Sequence, residues 1–355
     1  MDTKTIFITG AAGYVGAMLC AEFALRDDVK EIIALDKESK PEILNQYKNI
    51  VWINANTADL NWQKEVSLHN PNIVIHTAWQ IREMFGQKKK QWRWNIEGSD
   101  NVFDFAFSTP SVNKLIHFST IASYAAYPSN TIEHRFTEDE PFRISDYLYA
   151  EEKRIAEQHL KDKFDTRFKQ DETTTPQVFI IRPASITGPR GRYSKIRLGL
   201  QSVLSGQLKD SFLHKVISAM VSFVPVTKKW CRQFIHEDDI VDIVTALSFK
   251  DISGKFEILN ACPPGPVVRG GDMAAAVGKK AVNIPPILIR FVFFLAWNLS
   301  RGRIPTSKGG WKSYSYPIAV DGSKITRTLG YVYKFDPKEA FTKKEGRYMK
   351  FVKEV

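Results

Sequence analysis

The chain has 355 residues, of which 43% are hydrophobic and 25% are charged. This length suits one large α/β domain with a smaller partner domain, and the ordinary globular composition excludes a disordered protein. The 50 Lys and Arg residues outnumber the 39 Asp and Glu residues, and the net charge of +11 raises the question of an anionic partner. Three cysteines without C-x-x-C spacing exclude a disulfide framework and give no zinc signature, so we expect a cytoplasmic protein without a metal site.

Short apolar runs rich in β-branched residues alternate with longer amphipathic runs in the first half of the chain. The sequence MDTKTIFITG enters the first run directly, which predicts a strand and no signal peptide. Strands are predicted at residues 5–9, 31–35, 50–54, 73–77, 114–118 and 178–182. Helices are predicted between them at residues 14–25, 94–107 and 149–163. The alternation predicts βαβ units and a doubly wound parallel α/β sheet of the Rossmann type.

The alternation of strand and helix patterns changes in the second half of the chain. Residues 164–177 are polar and predict an exposed loop, and the alternation stops after Pro183. A strand–helix pattern, QFIHEDDIVDIVTALSF, and a strand pattern, KFEILNA, are expected to return to the sheet. We therefore predict a Rossmann domain and a smaller, discontinuous, mixed α/β substrate-binding domain. The first spans residues 1–186 and about 231–262, and the second about 187–230 and 263–345.

Two segments raise other classes of function. Residues 88–95, KKKQWRWN, combine cations with tryptophan as a single-strand binder would, but they lead into a helical pattern. We therefore predict a solvated helix start and no nucleic-acid partner. The apolar segment behind Pro285 leaves about 14 residues for a helix, short of the ~20 that a membrane span needs. We expect this helix to cover a hydrophobic pocket or pack in the core, with interfacial membrane binding between Pro286 and Arg303 as a minor alternative.

The segment TGAAGYVG lies between the first predicted strand and the first predicted helix. Gly10 allows a tight turn, Gly13 lets the backbone approach a pyrophosphate, and Gly16 lets the helix and strand pack closely. The helix N-terminus then offers unpaired amides and partial positive charge to phosphate groups. The pattern predicts a dinucleotide site; the alternative is a glycine turn without a ligand.

Asp36 ends the second predicted strand, 20 residues past Gly16. A carboxylate at this distance accepts hydrogen bonds from both hydroxyls of an adenosine ribose and repels a 2′-phosphate. NAD is therefore favoured over NADP, although Lys37 and Lys40 beside Asp36 weaken the preference.

Tyr149 and Lys153 lie four residues apart in YLYAEEKRIAE. This spacing brings two side chains to the same face of a helix, about one turn apart. Two common residues four apart also occur by chance, so spacing alone leaves open whether they form a working pair or belong to a solvated helix surface.

The motifs together resemble the NAD-dependent epimerase/dehydratase family of extended short-chain dehydrogenases/reductases, and the resemblance covers nearly the whole chain. Besides the glycine motif and Tyr149-x-x-x-Lys153, five segments match the family's order. They are ADL (58–60), HTAW (76–79), FSTIASYA (118–125), IIRPASITGPRG (180–191) and RQFIHEDDIVD (232–242). The resemblance favours the working pair.

The resemblance implies a role for each matching residue. Tyr149 would be the acid/base, because Lys153 and the nicotinamide stabilise its phenolate and lower a pKa that is otherwise near ~10. Lys153 would also bond the nicotinamide ribose, and Thr120 would hold the substrate oxygen, with Ser119 and Ser123 as alternatives. The implied cofactor-binding residues are Gly10, Ala12, Gly13, Tyr14, Val15, Gly16, Asp36, Asp59, Leu60, Thr77, Ala78, Lys153 and Pro183. The implied substrate-binding residues are Trp79, Thr120, Tyr149 and Arg232.

The two residues after Thr120 limit which reactions of the family are expected. Sugar-nucleotide dehydratases of this family carry an Asp-Glu pair there, and this chain has Ile121 and Ala122, so dehydration by that route is not expected. An apolar pocket lining is expected from the helix at residues 287–299 and from a nearby set of side chains, Trp79, Ile81, Met84 and Phe85. This lining favours an oxidoreductase that interconverts a hydroxyl and a ketone on a small, fairly apolar molecule.

Two alternatives stay open. Arg232 resembles the arginine that clamps a diphosphate in nucleotide-sugar epimerases acting through a transient ketone; otherwise it forms a salt bridge to Glu237, Asp238 or Asp239. A non-catalytic NAD(P)-binding protein is the third candidate.

Relatives usually dimerise through two helices per subunit, here residues 94–107 and 149–163, which implies a homodimer. The apolar residues Phe103, Phe107, Ile155 and Leu160 on these helices would either make dimer contacts or face the sheet.

Overall fold

The computed structural model describes residues 3–191, 223–276 and 278–351. The first six strands are β1 (Lys4–Thr9), β2 (Val29–Asp36), β3 (Ile50–Asn54), β4 (Ile73–His76), β5 (Lys114–Phe118) and β6 (Gln177–Pro183). They are followed by β7 (Ser185–Thr187), β8 (Phe223–Val226), β9 (Cys231–Arg232), β10 (Phe234–His236), β11 (Phe256–Ala261), β12 (Val268–Arg269) and β13 (Lys280–Asn283).

A seven-stranded parallel sheet forms the centre of the fold, in the order β11-β6-β5-β4-β1-β2-β3. This confirms the predicted doubly wound α/β class and all six predicted strands. The chain leaves β1 toward β2 and β3 and later returns to β4 on the other side of β1. Ligands of such sheets bind outside the carboxyl ends of the strands at this reversal, which here means beyond Thr9 and His76.

Successive residues of the sheet strands enter cores on opposite faces. In β1, Ile6 and Ile8 join one apolar cluster and Phe7 joins the other. A sheet buried on both faces needs continuous apolar runs rather than alternation. This requirement explains why continuous apolar runs in the sequence predicted these strands.

The helices are α1 (Tyr14–Phe23), α2 (Trp62–Leu68), α3 (Lys88–Trp92), α4 (Gly98–Ser108), α5 (Leu148–Gln170), α6 (Glu237–Phe249), α7 (Gly270–Ala275), α8 (Pro286–Leu299), α9 (Gly310–Ser313), α10 (Ser323–Leu329) and α11 (Pro337–Thr342). One π-helical turn, Arg93–Glu97, joins α3 to α4. Three short 3₁₀ turns are Glu42–Leu44, Ile121–Tyr124 and Met349–Phe351.

The prediction of a loop at residues 164–177 was wrong for its first half, because α5 continues to Gln170. Phe164 is buried, and its ring stacks on Phe168 at 5.3 Å between centroids and contacts the tilted ring of Phe256 of β11 at 4.8 Å. Two aromatic residues four apart continue the apolar face of the helix, and this packing outweighs the polar composition around them.

The strand–helix element at Phe234–Phe249 forms, and β11 returns to the central sheet as predicted. The expectation that the first of these strands also returns to that sheet was wrong, because β10 pairs with β7 in a separate small sheet. β11 pairs in parallel with β6 and closes one edge of the central sheet. The remaining described strands form three small pairs, β10 with β7, β12 with β9 and β13 with β8. Residues 192–222, most of the first predicted substrate-domain segment, lie outside the described residues.

The two predicted dimer helices contribute to the core. Phe103 of α4 and Leu160 of α5 are fully buried in the cluster on one face of the sheet. Phe107 and Ile155 are half-buried. The homodimer therefore stays a prediction, with Phe103 and Leu160 removed from its contacts.

The expectation that α8 packs in the core was wrong for most of its side chains, and the alternative that it covers a pocket stays a prediction. The helix has the predicted extent, 14 residues, but Ile289 is its one buried residue. Hydrophobicity predicted burial, whereas the helix attaches through one narrow face. Across the described segments, no helix is long and apolar enough to cross a membrane.

Candidate active site

The glycine turn fits closely against the end of β4. Gly10 has a φ of +71°, and a Cβ there would lie 2.5 Å from the backbone nitrogen of Ala78. A Cβ at Gly16 would lie 2.2 Å from the carbonyl oxygen of Gly10. The hydroxyl of Thr77 donates to the carbonyl oxygen of Thr9 at 2.7 Å and fixes the second strand end. Only glycine fits at positions 10 and 16, as the sequence motif requires.

The start of α1 leaves backbone amides available. Its N-cap is Gly13, and no side chain of the described residues caps it. The first amides of a helix lack intrahelical acceptors, so this end of α1 is suited to an anionic group.

Asp36 is bound to the same turn. Its carboxylate accepts a hydrogen bond from the backbone nitrogen of Ala12 at 2.9 Å and one from Glu38 at 3.0 Å. Lys37 pairs with Glu38 at 2.7 Å, and Lys40 donates to the carbonyl oxygen of Ile50 at 3.5 Å. Both lysines beside Asp36 thus have other partners.

The predicted adenine-side residues lie on the surface between β3 and α2. The carboxylate of Asp59 pairs with Arg93 at 2.5 Å, and Leu60 is largely exposed. The ion pair occupies one oxygen of Asp59, a partner that the sequence motif did not indicate.

Two hydrogen bonds hold Tyr149 and Lys153 against the turn that carries Thr120. The ammonium of Lys153 donates to the carbonyl oxygen of Phe118, two residues before Thr120. The hydroxyl of Ser123, three residues after Thr120, donates to the carbonyl oxygen of Ala150 at 2.8 Å. These bonds bracket Thr120 and bring the first turn of α5 to the carboxyl end of β5.

The hydroxyl groups of Ser119, Thr120 and Ser123 differ in their hydrogen-bond partners. Thr120 is nearly buried, and its oxygen accepts a hydrogen bond from the backbone nitrogen of Ala122 at 3.2 Å, which leaves its proton available to donate. Ser123 already donates to Ala150, and the oxygen of Ser119 is buried with no hydrogen-bond partner among the described residues. Of the three hydroxyls, that of Thr120 is best placed to donate outward.

Lys153 is almost completely buried. Its ammonium lies 3.6 Å from the ring centroid of Trp79, a cation–π distance. Burial lowers the pKa of Lys153 well below its usual value, and the negative charges of Glu157 and Glu152 oppose this shift. The site therefore holds a lysine whose proton is easily given up.

A buried polar network supports the loop that carries Trp79. Asn95 accepts from the backbone nitrogen of Gln80 at 2.7 Å and donates to Glu152 at 2.7 Å. Gln91 donates to Glu152 at 3.1 Å and accepts from the backbone nitrogen of Met84 at 2.8 Å. Sequence analysis missed this network. The only indication in the sequence is an asparagine within WNIEG at a position where the helical pattern predicts burial. A π turn such as the one that holds Asn95 has no simple sequence signature.

Two histidines lie beneath the same strand ends. His76 bonds the hydroxyls of Thr9 at 2.7 Å and Ser99 at 2.9 Å, and its ring stacks on His117 at 5.4 Å. Burial lowers the pKa of His76 to about 3, and it also lowers the pKa of His117 well below the usual value. Both rings are therefore neutral beside Lys153.

The Arg-Pro segment at the end of β6 divides between two environments. Arg182 forms a buried ion pair with Glu157 and donates to the hydroxyl of Tyr124 at 2.6 Å. Pro183 ends the strand opposite Ala261. The arginine thus belongs to the core, and the cofactor contact of Pro183 stays a prediction.

Arg232 lies between aromatic rings. Its guanidinium is 5.5 Å from the ring of Tyr314 and 5.8 Å from that of Trp230. Of the three carboxylates proposed as salt-bridge partners, that of Glu237 bonds Tyr14, that of Asp238 accepts from the backbone nitrogen of Arg347, and that of Asp239 accepts from Tyr331.

Tyr314 connects Arg232 to the Tyr149 side of the molecule, because it follows α9 directly. At the start of α9, Gly309 has a φ of +83°, and a Cβ there would lie 2.4 Å from the backbone nitrogen of Tyr147. The close approach fixes α9 against the residues that precede Tyr149.

The model of the NAD-dependent epimerase/dehydratase family matches residues 6–262. No curated protein matches the sequence. Within the described residues, no group of three or more His, Cys, Asp and Glu side chains could hold a metal ion.

Solved structures share the fold at low identity. A dTDP-glucose 4,6-dehydratase of Bacillus anthracis in complex with NAD is 13% identical, with a TM-score of 0.66 over 96% of this chain and 94% of that chain. WbmG of Bordetella bronchiseptica, in complex with NAD and UDP, is 19% identical, with a TM-score of 0.66 over 96% of this chain and 92% of that chain. A UDP-glucuronic acid 4-epimerase of Bacillus cereus, in complex with UDP-glucuronic acid and NAD, is 16% identical, with a TM-score of 0.64 over 95% of this chain and 96% of that chain.

Proposed function

The chain belongs to the NAD-dependent epimerase/dehydratase family, and on that premise we propose that it is an NAD-dependent oxidoreductase that interconverts a hydroxyl and a ketone. Its substrate is a small, fairly apolar molecule, and Tyr149 is the acid/base. The observation that carries the proposal is the pair of hydrogen bonds, Lys153 to Phe118 and Ser123 to Ala150, that brings Tyr149, Lys153 and Thr120 to one strand end.

The residues present fit NAD. The turn at Gly10 and Gly16 has no room for a Cβ, and the uncapped start of α1 suits a pyrophosphate. Asp36 at the end of β2 suits an adenosine ribose with free hydroxyls. Because Lys37 and Lys40 already have other partners, these two lysines attract a 2′-phosphate less strongly. Bound NAD would accept or donate the hydride.

Tyr149 moves the proton. When the alcohol is oxidised, its phenolate takes the hydroxyl proton of the substrate, and when the ketone is reduced, its phenol returns that proton. Thr120 donates a hydrogen bond to the substrate oxygen and orients it. Lys153 stabilises the phenolate when it carries its proton as an ammonium.

The apolar substrate class is supported by the loop after β4. The indole of Trp79 covers the ammonium of Lys153, and Met84 and Phe85 follow in the same loop. The position after Thr120 is filled by Ile121, which is buried, so this turn supplies no carboxylate for elimination.

A nucleotide-sugar epimerase acting through a transient ketone is the second candidate. The observation that favours it is the position of Arg232, whose guanidinium lies beside the rings of Tyr314 and Trp230. An arginine in this setting can bind phosphate. The third candidate, a non-catalytic NAD-binding protein, lacks a comparable observation.

The test is a binding and turnover series on the full chain. NAD, NADP, UDP and UDP-glucose are titrated separately, and alcohols and ketones of increasing apolarity are then screened by the absorbance of reduced nicotinamide. We expect NAD to bind more tightly than NADP, UDP to have little effect, and turnover to rise with substrate apolarity.

Other outcomes choose between the candidates. Tight UDP binding that Arg232→Ala abolishes would establish the epimerase. NAD binding without turnover of any alcohol, ketone or nucleotide sugar would support the non-catalytic protein. A protein that binds neither NAD nor NADP would refute all three.

A further inference from the structure

Helix α8 is attached to the protein by one face. Ile289 is buried, and Phe293, Ala296 and Trp297 follow it at helical spacing and are half-buried. The ring of Phe293 lies 5.2 Å from that of Tyr314, and the ring of Trp297 lies 5.5 Å from that of Phe85. These contacts fix which side of the helix faces outward.

The outward side of α8 is apolar. Ile287, Phe291, Phe294 and Leu299 leave between 58% and 82% of their surfaces exposed. Leu288, Val292 and Leu295 beside them are also exposed, so the outward polar residues of the helix are Arg290 and Asn298. A helix on a protein surface normally turns charged and polar residues outward, and a continuous apolar surface marks an interaction site.

The charged residues of the segment that contains α8 are all of one sign, although Lys312 pairs with Asp146 of another segment at 2.6 Å. Residues 273–320 contain seven Lys and Arg residues and no Asp or Glu, in a chain whose net charge is +11. Arg290 lies within the helix, and Arg301 and Arg303 follow it directly; all three are exposed. The local sequence thus pairs an apolar surface with a concentrated positive charge.

We propose that the outward face of α8 docks on an anionic lipid bilayer. The apolar side chains enter the boundary between headgroups and acyl chains, and the flanking arginines bind the anionic headgroups. A 14-residue helix attached along one side lies in the plane of the bilayer, which agrees with its being too short to span one.

The charge distribution favours a lipid surface over a second copy of this chain. A two-fold symmetric contact sets the same patch of each copy against the other. Such a contact through α8 would bring Arg290, Arg301 and Arg303 of one copy close to the same cations of the other copy. An anionic bilayer satisfies both the apolar and the charged parts of the surface.

The test sediments the full chain with sucrose-loaded vesicles. We expect binding to vesicles of phosphatidylcholine with phosphatidylserine, and binding at least about tenfold weaker to phosphatidylcholine alone or in high salt. Phe291→Glu should weaken binding by about tenfold or more. It removes an apolar side chain that enters the bilayer, and it introduces a negative charge that the anionic headgroups repel. A double variant, Arg301→Gln with Arg303→Gln, should lose the preference for phosphatidylserine.

Leu68→Glu is the matched control, since Leu68 is 75% exposed at the end of α2 and should not affect vesicle binding. Thermal unfolding of each variant shows that it is folded. The proposal is overturned if the chain does not sediment with either vesicle, or if Phe291→Glu and Leu68→Glu bind equally. A dimer in solution that Phe291→Glu dissociates would overturn it too. None of these outcomes depends on the proposed reaction.

Discussion

The phenol hydroxyl of Tyr14 donates a hydrogen bond to the carboxylate of Glu237, 223 positions later in the chain. Tyr14 opens α1 directly after the glycine turn, and Glu237 opens α6. The backbone nitrogen of Arg190 also lies 3.3 Å from both oxygens of Glu237, and the Arg190 guanidinium donates to the carbonyl oxygen of Tyr14 at 2.6 Å. One buried carboxylate therefore joins the glycine turn to the turn at residues 188–191.

Replacing Glu237 tests this junction through pH. Burial raises the pKa of Glu237 from 4.5 to about 7, so the folded state holds this proton more tightly than the unfolded chain. The resulting stability is present below 4.5 and is lost as pH rises through about 7. Glu237→Gln keeps an acceptor for Tyr14 without the ionisation. We expect it to exceed the wild type in free energy of unfolding by up to about 3 kcal/mol above neutral pH, and to match it in acid.

Urea unfolding across this pH range makes the measurement. Glu65→Gln is the control, because Glu65 is exposed in α2 and its replacement should leave the pH profile unchanged. If Glu237→Gln keeps the pH slope of the wild type, the carboxylate is not the group that titrates.

Lys153→Met should separate stability from activity. Burial lowers the pKa of Lys153 below 10.5, so between its folded pKa and 10.5 the unfolded chain binds more protons and stability rises with pH. Methionine fills similar space without a buried charge, so we expect a higher unfolding temperature at neutral pH and loss of turnover. Differential scanning calorimetry and the turnover assay check both parts.

Lys161→Met on the same helix is the comparison, since Lys161 is half-exposed and forms a surface ion pair with Asp165. It should leave both quantities nearly unchanged. A lower unfolding temperature for Lys153→Met would show that the bonds to Phe118 and Trp79 outweigh the cost of burial.

Tyr149→Phe should lower kcat by about 10²- to 10⁴-fold, the range typical of general acid–base catalysis, while NAD affinity stays the same. Tyr147→Phe supplies a close control, because its ring centroid lies 5.8 Å from that of Tyr149 and it precedes α5. Initial rates and NAD titrations on the two variants decide the matter. Equal rates for both would remove Tyr149 from the reaction.

Two glycine-to-alanine changes should act in opposite directions. Gly16→Ala places a Cβ 2.2 Å from the carbonyl oxygen of Gly10, so we expect a lower unfolding temperature and weaker NAD binding. Gly271→Ala in α7 meets nothing within 4 Å and should stabilise the protein by about 0.5–1 kcal/mol through helix propensity. Thermal unfolding and NAD titration distinguish them. A Gly16→Ala protein with unchanged NAD affinity would contradict the close packing of the turn.

The sequence was informative where the chemistry is local. The strand–turn–helix around Gly10 depends on residues close in sequence and forms as predicted, and Asp36 ends β2 as predicted. Its contact with a ribose stays a prediction. The ion pair of Arg182 with Glu157 and the network of Asn95 with Glu152 depend on packing between distant segments. No spacing rule reveals such contacts.

Two of the errors in the predicted fold have a common cause. Residues 164–170 are polar on average yet helical, because Phe164 packs on Phe256. Helix α8 is apolar yet largely exposed, because it attaches through Ile289 and a narrow face. Composition describes a segment alone, whereas burial depends on the surface available to receive it.

The position of β11 has a consequence for synthesis on the ribosome. β6 ends at Pro183, and its outer neighbour β11 begins only at Phe256. Until that later strand has emerged, the nascent sheet carries an unpaired, hydrophobic edge of the kind that promotes aggregation. A chain truncated after residue 186 would keep that edge permanently. We therefore expect residues 1–186 to be expressed in soluble form only when residues 256–261 are supplied with them.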